Sequence, residues 1–150
     1  LALPYTGQAV IIDIGEEKDI HPRNKQDVGK RLALHALRND YGYDSIVCTG
    51  PVFKSVKRIG NTLEVTFDSC AGELIARNKY GYLSGFAIAG TDGKYQWAQA
   101  KIENNKVIVW NTEIQQPVSV RYAWGDNPDD ANLYNSVNLP ASPFEGHISQ

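Results

Sequence analysis

The residues with the types and spacing for acid–base chemistry lie in one stretch, Asp13-Ile14-Gly15-Glu16-Glu17-Lys18-Asp19-Ile20-His21-Pro22-Arg23-Asn24-Lys25. A histidine among carboxylates is half of a nucleophile–His–acid arrangement. The imidazole takes the proton of an attacking hydroxyl, and a carboxylate holds the ring in the required tautomer. His21 is the base in this reading. Asp19, two residues before it, falls on the same side of an extended backbone. Asp13, at the end of the preceding apolar run, is the alternative orienter, and the local sequence leaves both open. Glu16 and Glu17 read as solvated charges.

The flanking segments are the elements that must hold this loop. Ala9-Val10-Ile11-Ile12 is a short unbroken apolar run, which predicts a strand buried on both faces. In α/β proteins the loop leaving the carboxyl end of such a strand is where ligands and catalytic groups collect. Pro22 disfavours the helical region for His21, and Asn24 with Asp27 three residues on makes a variant of the capping box. The helix that follows carries Val28, Leu32 and Ala36 on one stripe, widened by Leu34 and Leu37. It stops near Asp40-Tyr41-Gly42, with Gly42 suited to the position just past the end. His35 lies inside this helix as a face residue and receives no role.

From about Asp44 the pattern changes to period-two alternation with hairpin signals. Residues 52–59 and 63–67 flank a turn at Gly60-Asn61. Residues 85–89 and 95–102 flank Thr91-Asp92-Gly93-Lys94, whose Asp-Gly pair predicts a type I′ turn. Asn104-Asn105 turns the chain into Val107-Ile108-Val109-Trp110, and residues 118–124 form the last clear strand. Six or seven short strands predict an antiparallel sandwich or distorted barrel. Residues 125–150 are rich in Pro, Asn and Asp, with Leu133, Tyr134, Leu139 and Phe144 as anchors, and read as an ordered strap over the surface. The fold class expected is therefore α+β, with residues 1–43 forming a strand, the His loop and a helix, 44–124 an antiparallel β-domain, and 125–150 the strap.

Composition narrows the function classes. The hydrophobic share of 42% and charged share of 21% suit a folded globular chain. A net charge of −2 of mixed sign leaves no basic footprint for nucleic acid. No apolar run approaches the roughly 18 residues of a membrane span. No phosphate-cradling glycine motif and no metal-ligand spacing occurs, so no cofactor is expected. Cys48 and Cys70 could pair or remain thiols. The chain holds no methionine and opens on a strand that wants neighbours, which together predict a piece of a longer protein. Neither a Gly-Asp-Ser nor a Gly-x-Ser-x-Gly motif is present, so hydrolase chemistry would need a nucleophile on sequence outside this chain.

Several strings carry a resemblance: Leu3-Pro4-x-Thr6-Gly7, Asp13-Ile14-Gly15, Ile20-His21-Pro22-Arg23-Asn24-Lys25-Gln26 and Gly29-x-Arg31-Leu32-Ala33. Gly50-Pro51, Val120-Arg121-Tyr122-Ala123-Trp124, Asn132-Leu133-Tyr134-Asn135 and Leu139-Pro140-Ala141-x-Pro143-Phe144 continue it. In this order they resemble the C-terminal part of sialate O-acetylesterases, within the SGNH or GDSL-like hydrolases. The resemblance implies an α/β esterase core with an attached β-domain, a Ser nucleophile in the N-terminal part of the same protein, and His21 as its base. It implies removal of acetyl groups from an O-acetylated sugar through an acetyl-enzyme. General SGNH hydrolases place an Asp three residues before this His, where the present chain has Lys18. On that reading Arg23 could meet a sugar carboxylate, and Trp124 and Tyr134 could stack on a sugar. A solvated arginine near a helix start accounts for Arg23 better, and core or strap anchoring accounts for Trp124 and Tyr134 at least as well. A secreted or periplasmic location is expected from the substrate type. The alternative is a non-catalytic sugar-binding or domain-docking β-module.

Overall fold

In a computed structural model that describes residues 3–148, the chain forms one helix and ten short strands among the described residues. Helix α1 spans Lys25–Asn39. It begins where the sequence predicts. Asn24 Oδ1 accepts from the Asp27 backbone N–H at 3.1 Å, and its amide donates to the Asp27 carboxylate at 2.8 Å. It ends at Asp40, and Gly42 takes a positive φ of 72° as the chain leaves.

The buried face of α1 differs from the apolar stripe. Arg31 and His35, one turn apart, are its buried residues, while Leu32 is 50% exposed. Polar partners decide this. Arg31 reaches the Val10 carbonyl at 2.5 Å and the Asp13 carboxylate, and His35 Nε2 donates to the Gln8 carbonyl at 3.1 Å. His35 thus fastens the segment before the His loop to the helix. A Cβ on Gly7 would collide with the His35 ring, so only glycine allows that approach.

The Ala9-Val10-Ile11-Ile12 run forms no strand. It is half-buried, and Ile12 packs against the core, but none of the described strands pairs with it. An apolar run takes β structure only where a ladder partner satisfies its backbone.

The strands form three antiparallel sheets. The first contains β1 (Val52–Ile59), β2 (Thr62–Asp68), β6 (Gln99–Glu103) and β7 (Lys106–Trp110), in the order β1-β2-β7-β6. The second contains β4 (Phe86–Ala89), β5 (Gln96–Trp97), β8 (Ser119–Tyr122) and β10 (Phe144–His147), in the order β10-β8-β4-β5. A small sheet pairs β3 (Leu74–Ala76) with β9 (Leu133–Asn135). The structure is β-rich α+β, as expected at that level.

Three local expectations change. The predicted strand over 95–102 is cut at Ala98: β5 belongs to the second sheet and β6 to the first. The Asp-Gly turn is not type I′, because Gly93 alone has positive φ (70°) and Asp92 does not. The turn with two positive φ values is Asn104-Asn105, at 50° and 58°. Residues 125–148 are woven into the sheets rather than laid over them: β9 and β10 come from this segment, and Leu133 and Ala141 are fully buried.

One apolar core takes residues from both larger sheets, among them Leu63, Val65, Val107 and Val109 from the first and Phe86, Ile88, Val120 and Tyr122 from the second. Phe144 stacks on Phe53 at 4.8 Å between ring centroids, which ties β10 to β1. Gly146 on β10 sits where a Cβ would strike the Phe53 ring. Burying side chains of this size gives roughly 1.5–3 kcal/mol each, so this shared core is the main term holding the sheets together. Cys48 and Cys70 are both free thiols, and burial pushes the Cys70 thiol pKa up.

Candidate active-site loop and its ion-pair support

The loop around His21 is closed by its own carboxylates. The Asp19 N–H donates to the Glu16 carbonyl at 3.2 Å, and Glu16 Oε1 accepts from the Arg23 N–H at 3.0 Å. Arg23 Nε lies 3.4 Å from Glu16 Oε2, with the Arg23 side chain 86% exposed. Glu16, read from sequence as solvated, is the residue that folds the loop back on itself. Asp19 Oδ1 accepts from the backbone N–H of His21 at 2.8 Å, not from its ring. His21 is exposed and stands outside the helix, held between this bond and Pro22.

Asp19, Ile20 and Pro22 line one side of a hollow of about 630 Å³. Trp124 and the residues that follow it form the opposite side. The structure therefore brings Asp19 and Trp124 to one cleft, which His21's neighbours Ile20 and Pro22 line and His21 itself does not. It leaves Arg23 on the surface with its charge turned to Glu16.

Asp13 and Tyr134 meet in a buried polar cluster, where Tyr134 is the anchor that one of its two sequence readings expected. The Asp13 carboxylate is almost buried and receives Arg31 through two bonds, 2.6 Å and 2.7 Å. The Tyr134 hydroxyl donates to Asp13 Oδ2 at 2.9 Å, and Arg77 approaches the same oxygen at 3.8 Å. Burial works to raise the Asp13 pKa, but the bonds from Arg31 and Tyr134 and the Arg31 charge outweigh it, leaving the carboxyl below its ordinary value. Both Asp13 oxygens are thus engaged in joining the loop, the helix and β9. Tyr134 is 3% exposed and Arg77 covers its ring at 4.8 Å, so it offers no open face for stacking. Burial, then the Asp13 charge, push its hydroxyl pKa up.

Sequence reading missed Arg31 and Glu16. The signal for Arg31 was the i, i+4 polar pair with His35, which makes a polar stripe able to bury only against designated partners.

No family model matches the chain. Among solved structures, a carbohydrate acetylesterase from Xanthomonas citri superposes with a TM-score of 0.90 at 48% identity, covering 99% of this chain and 34% of that one. The sialate O-acetylesterase of Mus musculus is 30% identical over 98% of this chain. The resemblance to sialate O-acetylesterases therefore holds over nearly the whole chain. The sialate O-acetylesterases of Rattus norvegicus and Homo sapiens are each 27% identical over the same share. The chain spans 29% of the mouse and rat proteins and 30% of the human one. These relatives are esterases.

Proposed function

We propose that this chain is part of a carbohydrate O-acetylesterase in which His21 is the general base for a serine supplied by sequence outside the chain. The observation that carries the reading is the 48% identity, at nearly full coverage, with a carbohydrate acetylesterase. The exposure of His21, in a loop whose Asp19, Ile20 and Pro22 line the Trp124 cleft, supports it. In this mechanism His21 accepts the serine proton as Oγ attacks the acetyl carbonyl. It then returns that proton to the departing sugar hydroxyl, leaving an acetyl-serine. Water, deprotonated by His21, then attacks the acetyl carbonyl; the bond to serine Oγ breaks, His21 returns the proton to that oxygen, and acetate leaves. Asp19 is the better orienter, because Asp13 is engaged by Arg31 and Tyr134 whereas Asp19 already holds the His21 backbone. Its second oxygen would meet the imidazole N–H.

Residues 1–43 would complete an SGNH-type core with the N-terminal part of the same protein, and the strands from residue 44 onward would form its accessory domain. A secreted or periplasmic location fits an O-acetylated sugar substrate. The test is p-nitrophenyl acetate and sugar-acetate hydrolysis by the full-length protein. His21→Ala should lower kcat by about 10⁴-fold or more without loss of fold. Wild-type rates in that variant would refute the assignment. The isolated 150-residue chain, lacking the nucleophile, should show only background turnover. Activity of this chain that His21→Ala abolishes would place the nucleophile within it.

A further inference from the structure

The outer face of the second sheet carries a row of side chains that the His loop does not use. Trp97 on β5 lies opposite Ala87 on β4, Ala87 opposite Arg121 on β8, and Arg121 opposite Glu145 on β10. Phe86, Ile88, Val120 and Tyr122, the flanking positions on β4 and β8, point into the core, so this row faces out. Because Ala87 is small and Gly85 has no side chain, the row sinks between its ends. The result is a trough of about 260 Å³ lined by Gly85, Ala87, Tyr95, Trp97, Arg121 and Trp124, in which the Arg121 guanidinium lies 3.8 Å from the centre of the Tyr95 ring. Gly85 has a φ of 82° and a Cβ there would press on Ala131, so that position stays bare for backbone reasons as well.

Two indoles bound this trough, and both are open: Trp97 is 74% exposed and Trp124 is 54% exposed. The backbone that carries Trp97 is held, and Arg121 covers one face of Trp124. Asn111 donates to the Trp97 carbonyl at 2.9 Å, the next residue, Ala98, donates to the Phe86 carbonyl at 2.9 Å, and Arg121 lies over the Trp124 ring at 5.0 Å. Exposed aromatic faces suit a ligand with a flat, C–H-lined face. Trp124 also borders the hollow beside the His21 loop, so the trough and that hollow meet at one indole.

We infer that the trough between Trp97 and Trp124 is a subsite for a neutral pyranose unit of an oligosaccharide. That unit lies along the same glycan as the sugar whose acetyl group is cleaved, and the inference rests to that extent on the proposed function. Neutrality follows from the charges. Arg121 is matched by Glu145 at 2.6 Å, and Asp126, Asp129 and Asp130 border the hollow adjoining the trough at Trp97 and Trp124. A sugar carboxylate would meet acidic groups there, whereas sugar hydroxyls can donate to them. The trough thus favours an acetylated oligosaccharide over a free acidic monosaccharide. Binding remote from the reacting bond can raise turnover of the longer substrate.

The experiment is a titration of the ¹⁵N-labelled chain, following the three indole N–H signals. Xylohexaose and cellohexaose serve as neutral probes and N-acetylneuraminic acid as the acidic one. At least one neutral hexasaccharide should shift the Trp97 and Trp124 signals saturably, with Trp110 unmoved, and N-acetylneuraminic acid should leave Trp97 in place. Trp97→Ala should weaken that binding by about tenfold or more, with the Ile88 and Val120 amides unchanged as evidence of an intact sheet. Trp97→Phe, which keeps an aromatic face, should retain part of the affinity. The inference is overturned if Trp97 is silent toward both hexasaccharides, if all three indoles move together, or if Trp97→Ala binds as well as wild type. A response of Trp97 to N-acetylneuraminic acid alone overturns the neutral assignment. The readout needs no turnover: a silent Trp97 in an active esterase removes the subsite alone, and binding without His21-dependent activity removes the esterase reading alone.

Discussion

At the scale of single residues, Asp19 and Asp13 illustrate how two carboxylates of the same type divide by surroundings. Asp19 is exposed and bonded to the His21 backbone, while Asp13 is buried among Arg31, Tyr134 and Arg77. In the full-length protein Asp19→Asn should lower kcat by up to about 10⁴-fold with stability nearly unchanged. Steady-state kinetics beside a urea melt checks this, and a loss of only a few-fold would mean that another group orients His21. Asp13→Asn should do the reverse to stability, costing about 3–5 kcal/mol because Arg31 is left buried without its counter-charge. The pH dependence has a definite sign. The Asp13 pKa is lowered from its ordinary 3.8, so its stabilisation is present above that value and is lost as pH falls through the lower folded-state value. Urea melts below pH 3.8 should therefore show wild type losing its advantage over Asp13→Asn as the acid limit is approached.

At the scale of elements, α1 owes its start to local chemistry and its orientation to distant partners. Asn24→Ala removes the acceptor for the Asp27 N–H and should destabilise the chain by about 1 kcal/mol, measured as a shift in the urea midpoint at unchanged slope. The β6–β7 hairpin shows a local device with a long reach. Asn105 takes a positive φ in the turn, accepts from the Leu74 N–H at 2.7 Å and donates to the Gly72 carbonyl at 3.0 Å. Asn105→Gly keeps the turn conformation but frees β3. Hydrogen exchange at Leu74 should accelerate while the paired amides of β6 and β7 keep their protection.

At the scale of the whole molecule, two larger sheets and the inserted 125–148 segment share one core, and the loop before α1 is attached through ion pairs and a few apolar contacts. The Val10, Ile11 and Ile12 amides have no ladder partner among the described strands. They should exchange rapidly in this chain and become protected in the full-length protein, where the proposed core would offer neighbouring strands. Strong protection of these three amides in a monomer of this chain would contradict that placement.

What the sequence determined is what short-range chemistry governs. The Asn24–Asp27 cap, the Gly60-Asn61 hairpin and the alternation of β2 and β7 each depend on residues a few positions apart, and each stands in the structure as the residue types demanded. The tertiary structure alone decided which groups meet across the chain. Nothing near Asp13 in the sequence shows that Arg31, 18 residues away, and Tyr134, 121 residues away, engage its oxygens. Leu32 belonged to the best apolar stripe on α1, yet the helix turned its polar Arg31–His35 face inward because buried backbone carbonyls and a buried carboxylate had to be satisfied there. The apolar pattern of residues 95–102 suited one strand, and only the competition of two sheets for its halves broke it at Ala98. Hydrophobic periodicity reports which side of an element prefers to leave water. It carries no record of which distant donor or ladder edge will be there to meet it, and those long-range pairings fix the site.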